Sequence, residues 1–515
     1  MGAAILAPLL LPLVPQTAPR PVDGTWVTLG SPPVTDAAVL CTTLAFDSEG
    51  VCHVAFQDDG ASADRASVLR YEEQGGAGTW SFLGSRGGAS IGRAWYDHVS
   101  FDAADRAYVV SRDYFAPGVA GVRVFDPALG DWADLGSGFS PFDAHYTHLA
   151  FDGAGVPYVV FTDGSTTPID RARVARYVAG GWEVVGNGWA SSGTAGYTSI
   201  AHVGGEPWIA FSDHDQGERV SVARLEPSTG LWEPVGTPGF TPGLSVNVRL
   251  SVSPAGEAHV AYHAWPNAVY VRRWNGAAWE PVGGPASAGD DAVVQTENWR
   301  QWLSLVFDDA GRPYVAYQDD EAAARLTVRR YDGGAWVVLG RPAFTPGRAD
   351  YHALALDHRG TPHASFRSGP IGSGLEVTRF VEGVRTYCAP KASSTGALPR
   401  VGFEGVPSDT PPDDFAVTAR SIPAGRVGLL LWSLEPDAKS QLGGTLCVKS
   451  PVKRAGLQKA GDAGTFRFPF SAPYRALHGI APGTRVYGQW WFRDPGHPDG
   501  TGVGATGGLA FTARP

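Results

Sequence analysis

The sequence predicts an all-β protein, a seven-bladed ring of four-stranded sheets followed by a smaller β domain, and three observations carry the prediction. A pattern of roughly 50 residues recurs between Trp26 and Phe380. Each copy holds four strand-like segments, the signature of a propeller blade. The fourth segment missing from the last copy stands near the start of the chain.

Each copy opens on a short apolar strand, at Leu44, Val99, Leu149, Ile200, Leu250, Leu305 and Leu354, followed by turn residues. The second strand follows at a nearly fixed offset, at Val54, Val109, Val159, Ile209, Val260, Val315 and Ala364. Segments such as Val68 to Tyr71 supply the third strand. Trp80, Trp132, Trp182, Trp232, Trp279 and Trp336 open the fourth in six copies, and no such Trp follows Phe380. Trp26-Val27-Thr28-Leu29-Gly30 matches the missing piece. Pairing it with the last third strand closes the ring, over residues 24–386, and removes an open sheet edge.

A chain of 515 residues with 43% hydrophobic content can bury a core for this ring and one further domain. Its 67 Gly and 40 Pro suit turn-dense β structure. A net charge of −10 without any basic run argues against a nucleic-acid partner, while leaving room for an anionic sugar met by a local Arg group. Residues 5–14 form an apolar stretch too short to span a bilayer and similar to the hydrophobic part of a secretory signal, so residues 1–23 read as a signal-like segment. No other segment is long enough for a transmembrane helix. Cys41 and Cys52 lie toward opposite ends of a hairpin, too far apart to bridge, and read as small core residues. Cys388 and Cys447 both fall in the C-terminal part and could pair, although the sequence does not decide the connectivity.

From Tyr387 the repeat gives way to alternating segments such as Gly428-Leu429-Leu430-Leu431-Trp432, which read as strands of a compact β domain over residues 387–515. Tyr387-Cys388, Gly443-Gly444-Thr445-Leu446-Cys447 with Pro451-Val452-Lys453-Arg454, and Gln489-Trp490-Trp491-Phe492-Arg493-Asp494-Pro495 together resemble a C-terminal β domain that environmental bacteria append to many secreted repeat proteins. The ring copies, as in Tyr197-Thr198-Ser199-Ile200-Ala201 with Glu206-Pro207-Trp208-Ile209-Ala210-Phe211-Ser212-Asp213, are similar to propeller repeats of bacterial secreted proteins. The resemblance implies export and surface association, not a chemistry. It also implies further cysteines, and Ala397 stands where one is expected, a departure that weighs against a Cys388–Cys447 bridge.

Repetition separates scaffold from site, because a residue type that recurs at one blade position serves the frame. His53, His259 and His363 share a second-strand position with Tyr108, Tyr158, Trp208 and Tyr314 and read as packed rings. Asp47, Asp102, Asp152, Asp308 and Asp357 lead turns whose backbone they accept from. Asp58, Asp113, Asp163, Asp213 and Asp319 end second strands as loop caps. Arg70, Arg176, Arg224, Arg273, Arg330 and Arg379 recur in third strands, and the periodic Trp residues read as inter-blade core.

The non-recurring groups fall in loops that a propeller gathers on one face, around the mouth of its channel. These are Trp95, Tyr96, Asp97, His145, Trp189, Trp265, Trp299, Trp302, Tyr351 and His352, with Arg112, Asp113 and Tyr114, the Asp213-His214-Asp215 run, His263, Asp319, Asp320 and Glu321, and Arg367. Flat rings beside directional polar groups suit a sugar. Tyr96, Tyr146, Tyr197, Trp302 and Tyr351 share one register, which fits packing as well as ligand stacking. His98 and His148 share a register that other blades fill with Thr43, Ser199, Arg249, Ser304 and Ala353. With Asp97, Arg112, His145 and Tyr146 they could form a metal or acid/base site, against the plainer reading of polar residues around a wet channel. The sequence has no phosphate loop, no His-Glu-x-x-His, no Gly-x-Ser-x-Gly elbow and no EF-hand loop, and no cofactor is expected.

The expected function is therefore an exported, monomeric binding or surface-interaction propeller that recognises an extracellular glycan or cell-surface polymer. The alternatives are a polysaccharide lyase using His98, His148, Tyr146 and Arg112, and a purely structural envelope protein.

Overall fold

A computed structural model describes residues 20–514, apart from 62–63, 75–76, 114–117, 138, 141–142, 165–169, 265–267, 284–301, 320–321, 370–372 and 410–412. Its described residues form seven four-stranded antiparallel sheets and a separate group of C-terminal strands. The first sheet runs Val39–Phe46, Cys52–Asp58, Ala66–Gln74 and Ala77–Phe82 in simple meander order, and the next five repeat it. In the seventh sheet the order is Gly24–Thr28, Leu375–Glu382, Pro362–Ser368 and Ala349–Leu356, so the chain's first strand fills the fourth place. Trp26 lies opposite Phe380 in that pairing. The first strands of consecutive sheets touch in cyclic order, and Ala349–Leu356 touches Val39–Phe46.

Seven indoles stitch the sheets together. Each donates its Nε1–H to a carbonyl of the preceding sheet: Trp80 to Leu29, Trp132 to Leu83, Trp182 to Leu135, Trp232 to Val185, Trp279 to Val235, Trp336 to Val282 and Trp26 to Leu339, at 2.7–3.3 Å. A buried indole needs such a partner. The same contact explains the Leu-Gly that ends the motif. Gly30 and Gly84 have φ of +74° and +73°, and a Cβ on either would come within 2.9 Å of Trp80 or Trp132.

The groups read as scaffold are scaffold. His53 packs on Phe101, His259 on Phe307 and His363 on Phe46, with ring centroids 4.7–4.9 Å apart across neighbouring sheets. Asp47, Asp102, Asp152, Asp308 and Asp357 each accept the backbone N–H four residues on. The third-strand Arg residues pair with carboxylates nearby, as Arg70 with Glu72, Arg176 with Glu183 and Arg330 with Asp332. Asp58 caps its loop through Gly60 N–H and also accepts from Ser67, and Asp213 does the same with Asp215 N–H and Ser221.

Beyond Gly383 the chain enters a five-stranded sheet ordered Val384–Tyr387, Val503–Thr512, Arg485–Arg493, Val427–Ser433 and Lys453–Lys459, with a three-stranded sheet and a hairpin beside it. Phe415, Trp432, Phe466, Trp490 and Phe511 fill its core, and Val381 and Val384 belong to the same buried cluster. Cys388 and Cys447 are joined as a disulfide, so the substitution at Ala397 leaves that bridge intact. Cys41 and Cys52 are buried and not joined in a disulfide, as expected of core residues. No helix among the described residues is long and apolar enough to cross a membrane.

Candidate functional site

The site begins as an irregularity in the first strands. In six sheets the register to the second strand slips between Leu40 and Thr43, Trp95 and His98, His145 and His148, Gly196 and Ser199, Val246 and Arg249, or Asp350 and Ala353. Such a bulge re-aims side chains. One residue in each of five bulges, Cys41, Tyr146, Tyr197, Asn247 or Tyr351, is left-handed with φ of 52° or 53° although none is glycine. Backbone of this kind costs on the order of 1–3 kcal/mol per residue and is concentrated at functional sites. A regular strand would send successive side chains to opposite faces. Here the consecutive residues Tyr146, Thr147 and His148 line one cavity together.

That cavity, about 50 Å³, is lined by Thr43, Asp97, His98, Tyr146, Thr147, His148, Tyr197, Thr198, Asn247, Arg249 and Trp302. A second, about 210 Å³, shares Thr43, His98, His148, Arg249 and Trp302 and adds His352 and the inner strand residues beside it. His98 and His148 therefore meet as the shared register required, with ring centroids 4.2 Å apart. Tyr146 and Tyr197 stand 4.8 Å apart, and the guanidinium of Arg249 lies 5.9 Å from the Trp302 ring centroid.

Position in the ring fixes the roles of the two imidazoles differently. At this register the side chains of Thr43, Ser199 and Ser304 accept the backbone N–H of Val99, Leu250 and Leu354 in the next sheet. His148 does the same through Nδ1, accepting from Ile200 N–H at 3.4 Å. Its Nδ1 is thereby the acceptor, and its proton sits on Nε2. His98 Nδ1 is buried with no hydrogen-bond partner among the described residues. Burial, then Arg249, pushes the His98 pKa down to about 4, and burial, then His98 and Arg249, holds His148 well below the usual imidazole range. Burial alone lowers Arg249 to about 10. All three keep intermediate exposure and line both cavities.

Asp97 occupies the adjoining wall. It is 2% exposed, and among the described residues neither carboxyl oxygen has a hydrogen-bond partner. Burial raises its pKa well above the ordinary carboxylate value. In three other sheets this register is a threonine, Thr42, Thr147 or Thr198, and Thr42 and Thr198 donate to the carbonyls of Tyr351 and Tyr146 in the sheet before.

Arg112 lies apart from the paired imidazoles. It forms an ion pair with Asp143, and Asp143 also meets His145 Nε2 at 3.1 Å. Trp95 is the cross-strand partner of Arg112. Trp189 carries the Arg173 guanidinium 3.9 Å above its ring, so one of its faces is covered. Tyr351 is buried beneath Arg367, at 4.9 Å, and Arg367 pairs with Asp350. His352 is buried, with Nε2 3.1 Å from the Ala316 carbonyl, and its pKa is lowered to about 4, burial being the main cause. Asp213 caps a short 3-10 turn, His214–Gln216. Tyr114, Trp265, Trp299, Arg300, Asp320, Glu321 and the side chain of Tyr96 lie outside the described residues. Among the described residues, no three His, Cys, Asp or Glu side chains are grouped to hold a metal ion.

Two participants were not singled out from the sequence. Arg249 occurs once at its register, and the rule that recurring types are scaffold would have flagged it. Asp143 bridges Arg112 and His145, and nothing in the sequence marks it.

No protein-family description matches the chain. No curated protein matches it either. Among solved structures it is similar to an ulvan lyase from a new polysaccharide lyase family, at 13% identity and TM-score 0.44, over 70% of this chain and 94% of that one. It is similar to an α-L-arabinofuranosidase from Fusarium graminearum at 10% identity and TM-score 0.41, over 71% and 98%. It is also similar to the fucose-recognising Aleuria aurantia lectin, a six-bladed β-propeller, at 15% identity and TM-score 0.40, over 60% and 99%.

Proposed function

We propose that the protein is an exported glycan-binding propeller, of seven blades over residues 24–386 with a C-terminal β domain after them, and that its ligand enters at the channel mouth. The observation that carries this reading is that the cavity joins Tyr146, Tyr197 and Trp302 to His98, His148, Asn247 and Arg249. Rings offer stacking surfaces for C–H faces, while imidazole, amide and guanidinium groups give hydroxyls directional partners. Trp95 and Trp189 would extend these contacts.

A lyase is the second reading, favoured by the convergence of His98, Tyr146 and Arg249 on one cavity. Proton abstraction needs a base within reach of the sugar and a group to stabilise the anion formed. His148 is poorly placed as that base, because its Nδ1 already accepts Ile200 N–H. Arg112 is held by Asp143. Binding therefore accounts for more of the geometry than cleavage does.

A glycan array probed with the purified full chain, run beside an absorbance assay for unsaturated products, separates the readings. Binding that weakens at least tenfold in Trp302→Ala, without product formation, supports the module. Product formation lost in His98→Ala or Tyr146→Phe replaces it with the lyase. Neither binding nor cleavage leaves a structural protein.

A further inference from the structure

Arg249 is the one cation among the residues lining both channel cavities, and the described structure gives it no carboxylate. It donates to the Val248 carbonyl at 3.1 Å, which uses one of the five N–H donors of a guanidinium. The groups facing it are His98, His148, His352 and Trp302, all without negative charge. Asp97 lies on the same cavity wall, but among the described residues no hydrogen bond or ion pair joins it to Arg249, and burial holds its carboxyl well above the ordinary carboxylate range. A cation only partly exposed and without a counter-ion is costly, and the usual remedies are a paired acid or a bound anion. The first is absent among the described residues.

We infer that the ligand is an acidic saccharide and that Arg249 binds its anionic substituent, a carboxylate or a sulfate ester, in the channel below the ring shelf. This rests on the glycan reading above and narrows it. Planar, forked N–H donors match both oxyanions, whereas a neutral sugar would leave the charge uncompensated. The shared larger cavity of about 210 Å³ has room for such a group beside Trp302. The neutral imidazoles around it donate or accept without adding charge, so the site would rank ligands by their single anion and lose affinity as salt rises.

The test has two arms. On an array of neutral, uronate-bearing and sulfated glycans, the full chain should prefer one acidic class, which identifies the oxyanion. Arg249→Gln should weaken that binding at least tenfold, while Arg249→Lys should restore part of it. Binding of neutral glycans that is unchanged by Arg249→Gln but weakened by Trp302→Ala overturns the inference and leaves the glycan reading standing. In the second arm, glucuronate and inorganic sulfate are added at fixed ionic strength and the Tm followed. Stabilisation of the wild type that is absent in Arg249→Gln supports the anion site even if no glycan binds, a result that would overturn the glycan reading alone. Equal shifts in both proteins overturn the inference.

Discussion

The indole of Trp26 donates to the carbonyl of Leu339 at 3.1 Å, joining residues 313 positions apart in the sequence. Its ring stacks on Phe344 at 4.2 Å and 8°, and its backbone faces Phe380 in the seventh sheet. One side chain thus holds the chain's first strand to its last repeat. Truncating it removes the packing and the hydrogen bond together, so Trp26→Ala should lower the unfolding free energy by about 3 kcal/mol, toward the low end for a large aromatic because Trp26 is half-buried. Urea titration with the wild type alongside checks this. An unchanged midpoint would show that the contact does not hold the ring.

Buried imidazoles make the fold acid-sensitive. Burial is the leading cause that lowers His263 to about 3 and His98, His352 and His363 to about 4, with His148 also well below its ordinary value. The unfolded histidines titrate near 6.5. Below that pH the unfolded chain binds more protons than the folded one, so the contribution of these groups is present above about pH 6.5 and is lost as pH falls toward the folded values. The raised carboxyls Asp59, Asp97 and Asp414 act in the opposite sense but are fewer. Calorimetry should show Tm falling steadily from pH 6.5 to pH 5, before most carboxylates titrate. A Tm that is flat or rising over that range contradicts the buried, neutral imidazoles.

The ring was readable because its contacts repeat. The Leu-Gly or Val-Gly pair after each Trp is needed by the indole of the next sheet, and the aromatic second-strand position is needed by a neighbouring ring, so both leave a periodic mark. The site was less readable for the same reason. Its bulges place Tyr146, Tyr197 and Tyr351 in left-handed backbone without a glycine to announce it, so the pairing pattern that lets adjacent residues share a cavity has no composition signal. His98 and His148 were recognisable as a shared register, but the use of His148 as a stand-in for the serine and threonine acceptors appears only once Ile200 is seen beside it. Arg112 looked like part of the same group from its loop position. Asp143, just before the first strand of the next sheet, pairs with it instead, and Arg112 does not line the cavity that holds the two imidazoles.

Asp97 should be destabilising at neutral pH and not near pH 4. Its carboxyl has no hydrogen-bond partner and burial raises its pKa, so the folded state holds the proton that the unfolded chain releases from about pH 4 upward. A group raised in this way contributes fully below the unfolded pKa and loses that contribution as pH rises through the folded one. Asp97→Asn keeps the shape and removes the titration. The difference in unfolding free energy between the Asn variant and wild type, read from urea titrations, should be small at pH 4 and grow toward pH 7, with a slope of at most about 1.4 kcal/mol per pH unit. A difference independent of pH would show that Asp97 is ionised and compensated.

The Cys388–Cys447 bridge should be the main covalent brace of the C-terminal sheets. It spans 59 residues and ties the start of that region to a buried cysteine beside Gln489, whose side-chain oxygen accepts the Cys447 N–H at 2.9 Å. Loop-closure entropy for a loop of this length gives about 4 kcal/mol, an upper figure because the reduced chain keeps some structure. The double variant Cys388→Ser, Cys447→Ser should therefore unfold at clearly lower denaturant, followed through the fluorescence of Trp432 and Trp490. Thiol titration of the denatured wild type gives an independent reading: two reactive thiols, from Cys41 and Cys52, before reduction, and four after. Four thiols without reductant would mean the bridge does not form, and the variant would then lose no stability through the cross-link.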